Sequence, residues 1–175
     1  MRRRHRTGMT LVLVLAVVGS ACSTSGLQFR EDERVDIVAP RYREKVALPL
    51  TIEWEVRGFE ITGPTEQARD DAGYFAVLID AEPPPPGETL DYYGRDDTSC
   101  RPEAGCPDQQ YLATRGVHTT TGTQLLVERL APAPGVDVSR GDPDRHEVTI
   151  ILLDGRGRRI GESVWNQPFE VVRDA

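Results

Sequence analysis

No apolar stretch in this 175-residue chain approaches the roughly 20 residues that a membrane-spanning helix needs. Lysine is nearly missing as well: Lys45 stands alone against twenty arginines, a bias of genomic base composition and not a sign of function. The short signatures of common enzymes are absent too. There is no glycine-rich phosphate loop ending in Lys-Ser/Thr and no His-Glu-x-x-His zinc helix. Gly161-Glu162-Ser163-Val164-Trp165 starts like a nucleophile elbow but has Trp165 where the second glycine belongs, and it sits between strand-like segments instead of at a strand-to-helix turn. Gly155, Gly157 and Gly161 miss the dinucleotide spacing, and no helix-like segment follows. No segment keeps a helical apolar period, and no internal repeat is visible. The expectation is a protein that is not an enzyme and that takes no cofactor or metal.

The N-terminus reads differently from the rest. Arg2, Arg3, Arg4 and Arg6 precede a ten-residue apolar run, Met9 to Val18, followed by Gly19-Ser20-Ala21-Cys22. A basic start, a short apolar core and small residues form an export signal. The cysteine placed directly after small residues resembles the lipobox of bacterial lipoproteins, although Gly19 stands where that family usually carries Leu, Val or Ile. The resemblance implies cleavage after residue 21, diacylation of Cys22, and a membrane-tethered chain on the extracytoplasmic side. Four of the 21 basic residues lie in residues 1–21 and none of the acidic ones do. The remaining chain therefore sets 17 basic against 28 acidic residues, a net −11. Such a domain repels nucleic acid and anionic head groups, so attachment would come from the lipid and no nucleic-acid partner is expected.

Two further cysteines remain, Cys100 and Cys106. An even pair in an exported chain is most simply a disulfide. A metal site is the alternative, but the five-residue gap is not a recognised zinc spacing and no histidine lies near.

Residues 22–33 are polar and aperiodic, a tether leading to a domain at 34–174. Within it, Val46, Leu48, Leu50, Ile52, Trp54 and Val56 alternate with Ala47, Pro49, Thr51, Glu53 and Glu55. One face of an extended strand is then wholly apolar and the other mostly wet. Val35, Ile37 and Ala39 predict an edge strand that ends at Pro40. After Gly58 the apolar phase moves to Phe59 and Ile61, which a glycine bulge would explain by turning both sets inward. Tyr74 to Asp80 is apolar on both faces, as a strand covered on both sides would be. Strands are also expected over 117–121, 124–130, 146–153, about 159–164 and around Phe169 to Val172, with an exposed hairpin turn at Asp154 to Gly157 flanked by Arg156, Arg158 and Arg159. The candidate core includes Leu50, Ile52, Trp54, Val148 and Ile150.

Seven or eight short strands with Gly/Pro turns predict an all-β antiparallel sandwich. The Val38-Ala39-Pro40 segment, the strand ending in Ile52-Glu53-Trp54 and the closing 146–171 hairpin resemble fibronectin type III and related immunoglobulin-like domains. In those domains a tryptophan late in the second strand fills the core. The likeness covers about half of the exported chain. Residues 81–116 depart from it, as does the penultimate strand, which lacks the tyrosine common in fibronectin modules.

That 81–116 insertion holds Pro83 to Pro86, the Cys100/Cys106 pair, and Tyr92, Tyr93 and Tyr111. Long structureless insertions are uncommon in compact domains, and a staple implies an ordered loop. Tyrosine is a low-entropy contact residue, so these three form the candidate binding surface for a protein or glycan, with packing of the loop onto the sandwich as the other role. His146, near Asp142, Asp144 and Glu147, reads as a corner residue bonding to backbone, because adjacent strand residues point to opposite faces. His118 has no visible partner, and Asp96-Asp97 near Asp91 reads as a solvated acidic loop. The expected function is that of a lipid-anchored binding or scaffold module. A structural accessory subunit of an envelope complex is the alternative, and a hydrolase with an unrecognised site the least supported.

Overall fold

The computed structural model describes residues 33–65, 67–101, 105–161 and 166–173. The signal-like segment, Cys22, most of the tether and residues 162–165 of the elbow-like stretch lie outside them.

Alternating burial builds two open sheets. β1 (Val35–Ala39), β3 (Leu50–Val56) and β7 (Gln124–Val127) form a small antiparallel sheet in the order β1-β3-β7. The larger sheet runs β2 (Glu44–Val46), β10 (Asn166–Val171), β8 (Asp144–Asp154), β5 (Ala72–Ile79) and β4 (Glu60–Ile61). β6 (Val117–Thr120) adds to β5, and β9 (Arg159–Ile160) adds to β8. The two sheets pack face to face as an all-β sandwich. Leu50, Ile52, Trp54 and Val127 from one meet Phe75, Val77, Val148, Ile150, Leu152 and Phe169 from the other. Trp54 lies edge-on to Phe75 with ring centroids 5.5 Å apart, the geometry that aromatic quadrupoles favour.

Two expectations about the opening strand change. The alternation from Val46 to Val56 is one pattern but two strands. β2 pairs parallel with β10, and the chain then crosses to the other sheet before β3 starts at Leu50. Either sheet presents an inward face, so the apolar period survives the crossing. Gly58, at φ 63°, likewise marks a crossover and not a bulge: β3 ends at Val56, and Glu60–Ile61 pair parallel with β5 in the opposite sheet. Phe59 packs on the core, but Ile61 stays exposed.

β5 is buried at all eight residues, and the insertion explains why. A second apolar cluster covers the outer face of the large sheet. There Tyr74, Ala76, Leu78, Ile151 and Leu153 meet Leu112 and Val117, with Ala81, Leu90 and Tyr93 at its margin. Residues 81–116 are therefore not a bare loop. They carry a 3-10 turn over Leu90–Tyr93 and a short helix, α1 (Gln109–Ala113), capped by the Asp108 carboxylate accepting from the Tyr111 N–H. The segment closes at Gly116, at φ 72°, whose carbonyl accepts from the Ile79 N–H at 2.7 Å. A Cβ there would lie 2.0 Å from the Ile79 carbonyl oxygen, so only glycine fits.

Candidate functional site

The insertion is tied down along its length. Cys100 and Cys106 form a disulfide with Cα atoms 5.2 Å apart. The Tyr93 hydroxyl donates to the Glu82 carbonyl at 2.8 Å, and the Arg159 N–H donates to the Glu88 carbonyl at 2.8 Å. The Arg159 guanidinium reaches inward to the Pro84 carbonyl. Arg159 is 6% exposed, so of the three hairpin arginines only Arg156 and Arg158 face solvent as expected. Its charge is spent on closing the polyproline stretch against β9.

At the outer end of the insertion Asp97 gathers its neighbours. It accepts from the Ser99 hydroxyl and N–H, from the Tyr111 hydroxyl at 3.0 Å and from Arg115 Nη2 at 2.9 Å. The Ser99 hydrogen bonds, then Tyr111 and Arg115, hold its carboxyl down at about 2. The expected solvated acidic loop is thus a structured turn at Asp97, while Asp96 remains exposed. The three candidate tyrosines divide in role. Tyr93 turns inward, and burial pushes its phenol up. Tyr92 stacks edge-on against Tyr93 and carries Arg95 4.0 Å above its ring. Tyr111 carries Arg115 3.6 Å above its ring. All three are half-buried, so packing and surface display coexist.

A second constellation sits at the base of the insertion. Asp80 follows β5 directly at φ 54°, a left-handed conformation that aspartate tolerates better than most residues. Its Oδ1 accepts from the Glu147 N–H at 2.9 Å, and its Oδ2 lies 2.6 Å from His146 Nδ1. His146 Nε2 lies 3.1 Å from Asp144 Oδ1, a Coulombic contact off the line of a good hydrogen bond. Asp144 accepts further from the Ala133 N–H at 2.8 Å and from Arg173 Nε at 2.7 Å. The His146 side chain is fully buried, with its ring 5.6 Å from Phe169. Burial alone would lower the imidazole, but the hydrogen bond and charge of Asp80, with the charge of Asp144, outweigh it and raise it. His146 is therefore a buried imidazole whose protonated form two carboxylates favour, not a corner residue bonding to backbone. Both ring nitrogens face acids.

From the sequence, Asp142, Asp144 and Glu147 are the acids near His146, and a bond to backbone is expected in their place. The structure selects Asp144 and adds Asp80, 66 residues away. The alternation signal did hold a clue, since 144 and 146 share a face in a strand. Only the pairing of β5 with β8 supplies Asp80. His118 does not join the group. It lines a separate groove between β6 and the 125–132 segment, and burial lowers its imidazole. Among the described residues no three His, Cys, Asp or Glu side chains are placed to hold a metal ion, and no helix is long and apolar enough to cross a membrane.

Beside Asp80 a cleft of about 460 Å³ opens on the outer face of the large sheet. It lies between the start of the insertion and the outer side of β8 and β10, beyond the apolar cluster under the insertion. The class this architecture defines is an all-β sandwich with one sheet face partly roofed by a stapled insertion. No protein-family model, curated protein or solved structure matches the chain.

Proposed function

We propose that the chain is a lipid-anchored, extracytoplasmic binding module of the immunoglobulin-like class, with residues 91–111 as its contact face. The observation that carries the binding role is preorganisation. The insertion spends a disulfide, the Asp97 hub and the Leu112 anchor on holding a surface still, and that surface displays Tyr92–Arg95 and Tyr111–Arg115 stacks. A rigid contact face loses little conformational entropy on binding, and tyrosine and arginine are the residues that most often anchor interfaces. The immunoglobulin-like class is supported by β1, β3 and β7 opposing β5, β8 and β10, and by a first strand that divides between the sheets as β1 and β2. The lipid anchor rests on Cys22 and the residues before it.

The test is crosslinking in intact cells followed by pull-down, comparing the wild type with Tyr92→Ala/Arg95→Ala and Tyr111→Ala/Arg115→Ala. Loss of a shared set of partners is expected, and an unchanged set refutes the loop as contact face. Cys22→Ala is expected to release the protein from membranes, and persistent attachment refutes the anchor. One observation favours the structural-accessory reading: the outer edge of β7 pairs with no described strand, and Leu126 on it is 59% exposed.

A further inference from the structure

We propose that the cleft at the base of the insertion is a second binding site on this module, shaped for an extended, neutral or amino-sugar oligosaccharide. The inference goes beyond the tyrosine contact face and uses none of its residues.

Strand register builds the floor. Glu147 and Thr149 share the outer face of β8, and their partners Pro168 and Asn166 share that of β10. These four side chains form a patch with the Asp80–Pro83 segment rising beside it as a wall. At about 460 Å³ the space falls within the range of small-ligand sites, roughly 300–1,000 Å³. Arg145 and Pro168 also border a second hollow of about 290 Å³, closed by Arg43 and Glu170. The two hollows share Arg145 and Pro168 in their linings, and the proposed groove takes in both.

What the groove offers decides its occupant. Its floor strands are paired on both sides, β10 between β2 and β8, and β8 between β10 and β5. β2 pairs β10 only over Phe169–Val171, and β5 pairs β8 only from Val148 onward. The floor is nonetheless a sheet face and not a free edge, so a peptide cannot add across it as a strand and recognition falls to side chains. Thr149 is 4% exposed and its hydroxyl donates to Asn166 Oδ1 at 2.7 Å. That bond orients the amide and leaves its N–H₂ as the donor for a ligand. Asp80 is already occupied by His146 and Glu147, so the acceptors are the Glu82 and Glu147 carboxylates, with Arg145 as a charged donor. Planar carboxylate, amide and guanidinium groups engage neighbouring hydroxyls in pairs, and the Pro83 and Pro168 rings present C–H surface to a sugar ring. Among the described residues neither hollow is lined by a tyrosine or tryptophan of the sort that anchors protein interfaces. Its carboxylates outnumber its arginines, which disfavours anionic polymers.

The experiment titrates the full chain with soluble cello-oligosaccharides and chito-oligosaccharides, read by amide and side-chain NMR shifts. Saturable shifts confined to Glu82, Glu147, Thr149 and Asn166 are expected, growing tighter with oligomer length. Asn166→Ala and Glu147→Gln, both exposed positions, are expected to weaken binding at least about tenfold, while Tyr92→Ala/Arg95→Ala leaves it unchanged. Absence of saturable shifts with both probe series overturns the proposal, as do shifts centred on the tyrosines or binding that both groove variants leave intact. Loss of sugar binding with an intact partner set in the crosslinking assay would leave the tyrosine face standing, so the two readings fail separately.

Discussion

Replacing His146 by phenylalanine removes the buried imidazole and its contacts with Asp80 and Asp144 while keeping ring volume against Phe169. Asp144, 2% exposed, then keeps Arg173 and the Ala133 N–H, and Asp80 keeps the Glu147 N–H. Breaking a buried ion pair from one side costs about 3–5 kcal/mol. The Asp80 side chain is 32% exposed and so partly hydrated, and Asp144 retains a guanidinium, which brings the expectation for His146→Phe down to about 2–3 kcal/mol. The loss should depend on pH in a definite direction. The folded imidazole titrates above its unfolded value of 6.5, so its contribution is complete below that value and fades as pH rises through the raised one. His118 works the opposite way: burial lowers its pKa, so it contributes above 6.5 and loses that contribution as pH falls. The difference between wild type and variant cancels the His118 contribution. Urea unfolding across a pH series measures that difference by linear extrapolation. It should be widest in mildly acidic buffer and narrow towards alkaline pH. A difference that stays constant across the series would mean that His146 contributes packing alone, and would refute the account in which the two carboxylates favour its protonated form.

Three other outcomes are expected. Cys100→Ser/Cys106→Ser, opening a ring with a sequence separation of 6, should cost about 2 kcal/mol by loop-closure entropy, measured by denaturant midpoint under non-reducing conditions. Gly94→Ala should destabilise the insertion, because the new methyl would sit 2.5 Å from Cys100 Sγ; faster proteolysis within 81–116, with the sandwich intact, is the readout. Trp54→Ala should cost about 3–5 kcal/mol as a core truncation. Trp54→Phe should cost much less, since it keeps an aromatic ring near Phe75 and removes an indole N–H that is buried without a partner in the described structure. Equal melting temperatures for the two tryptophan variants would contradict that account.

Local periodicity carried much of the fold. The two-residue alternation around Leu50, Ile52 and Trp54, and the two-sided apolar run of Tyr74 to Ile79, record which faces are dry, because side-chain direction in a strand depends only on residue parity. Parity is blind to which sheet a strand joins. Hence Val46 to Val56 reads as one strand although it is β2 and β3 in opposite sheets, and the phase change at Gly58 reads as a bulge although it is a crossover.

The candidate surface was legible in part. The cysteine pair and the tyrosines marked 81–116 as an ordered insertion, through composition and length alone. That Tyr93 turns inward while Tyr92 and Tyr111 carry arginines follows from where the outer sheet face lies, which no local pattern encodes. The same holds for Arg159, written among hairpin charges yet buried against Pro84. The sequence by itself determined the period, the strand chemistry, the acidic charge and the cysteine pairing, because each depends on residues close together in the chain. Only the tertiary structure decided the partners of His146 and the groove across β8 and β10. Both are assembled by strand pairing between segments tens of residues apart, and the energy that favours those pairings comes from the shared core, not from the groups they bring together.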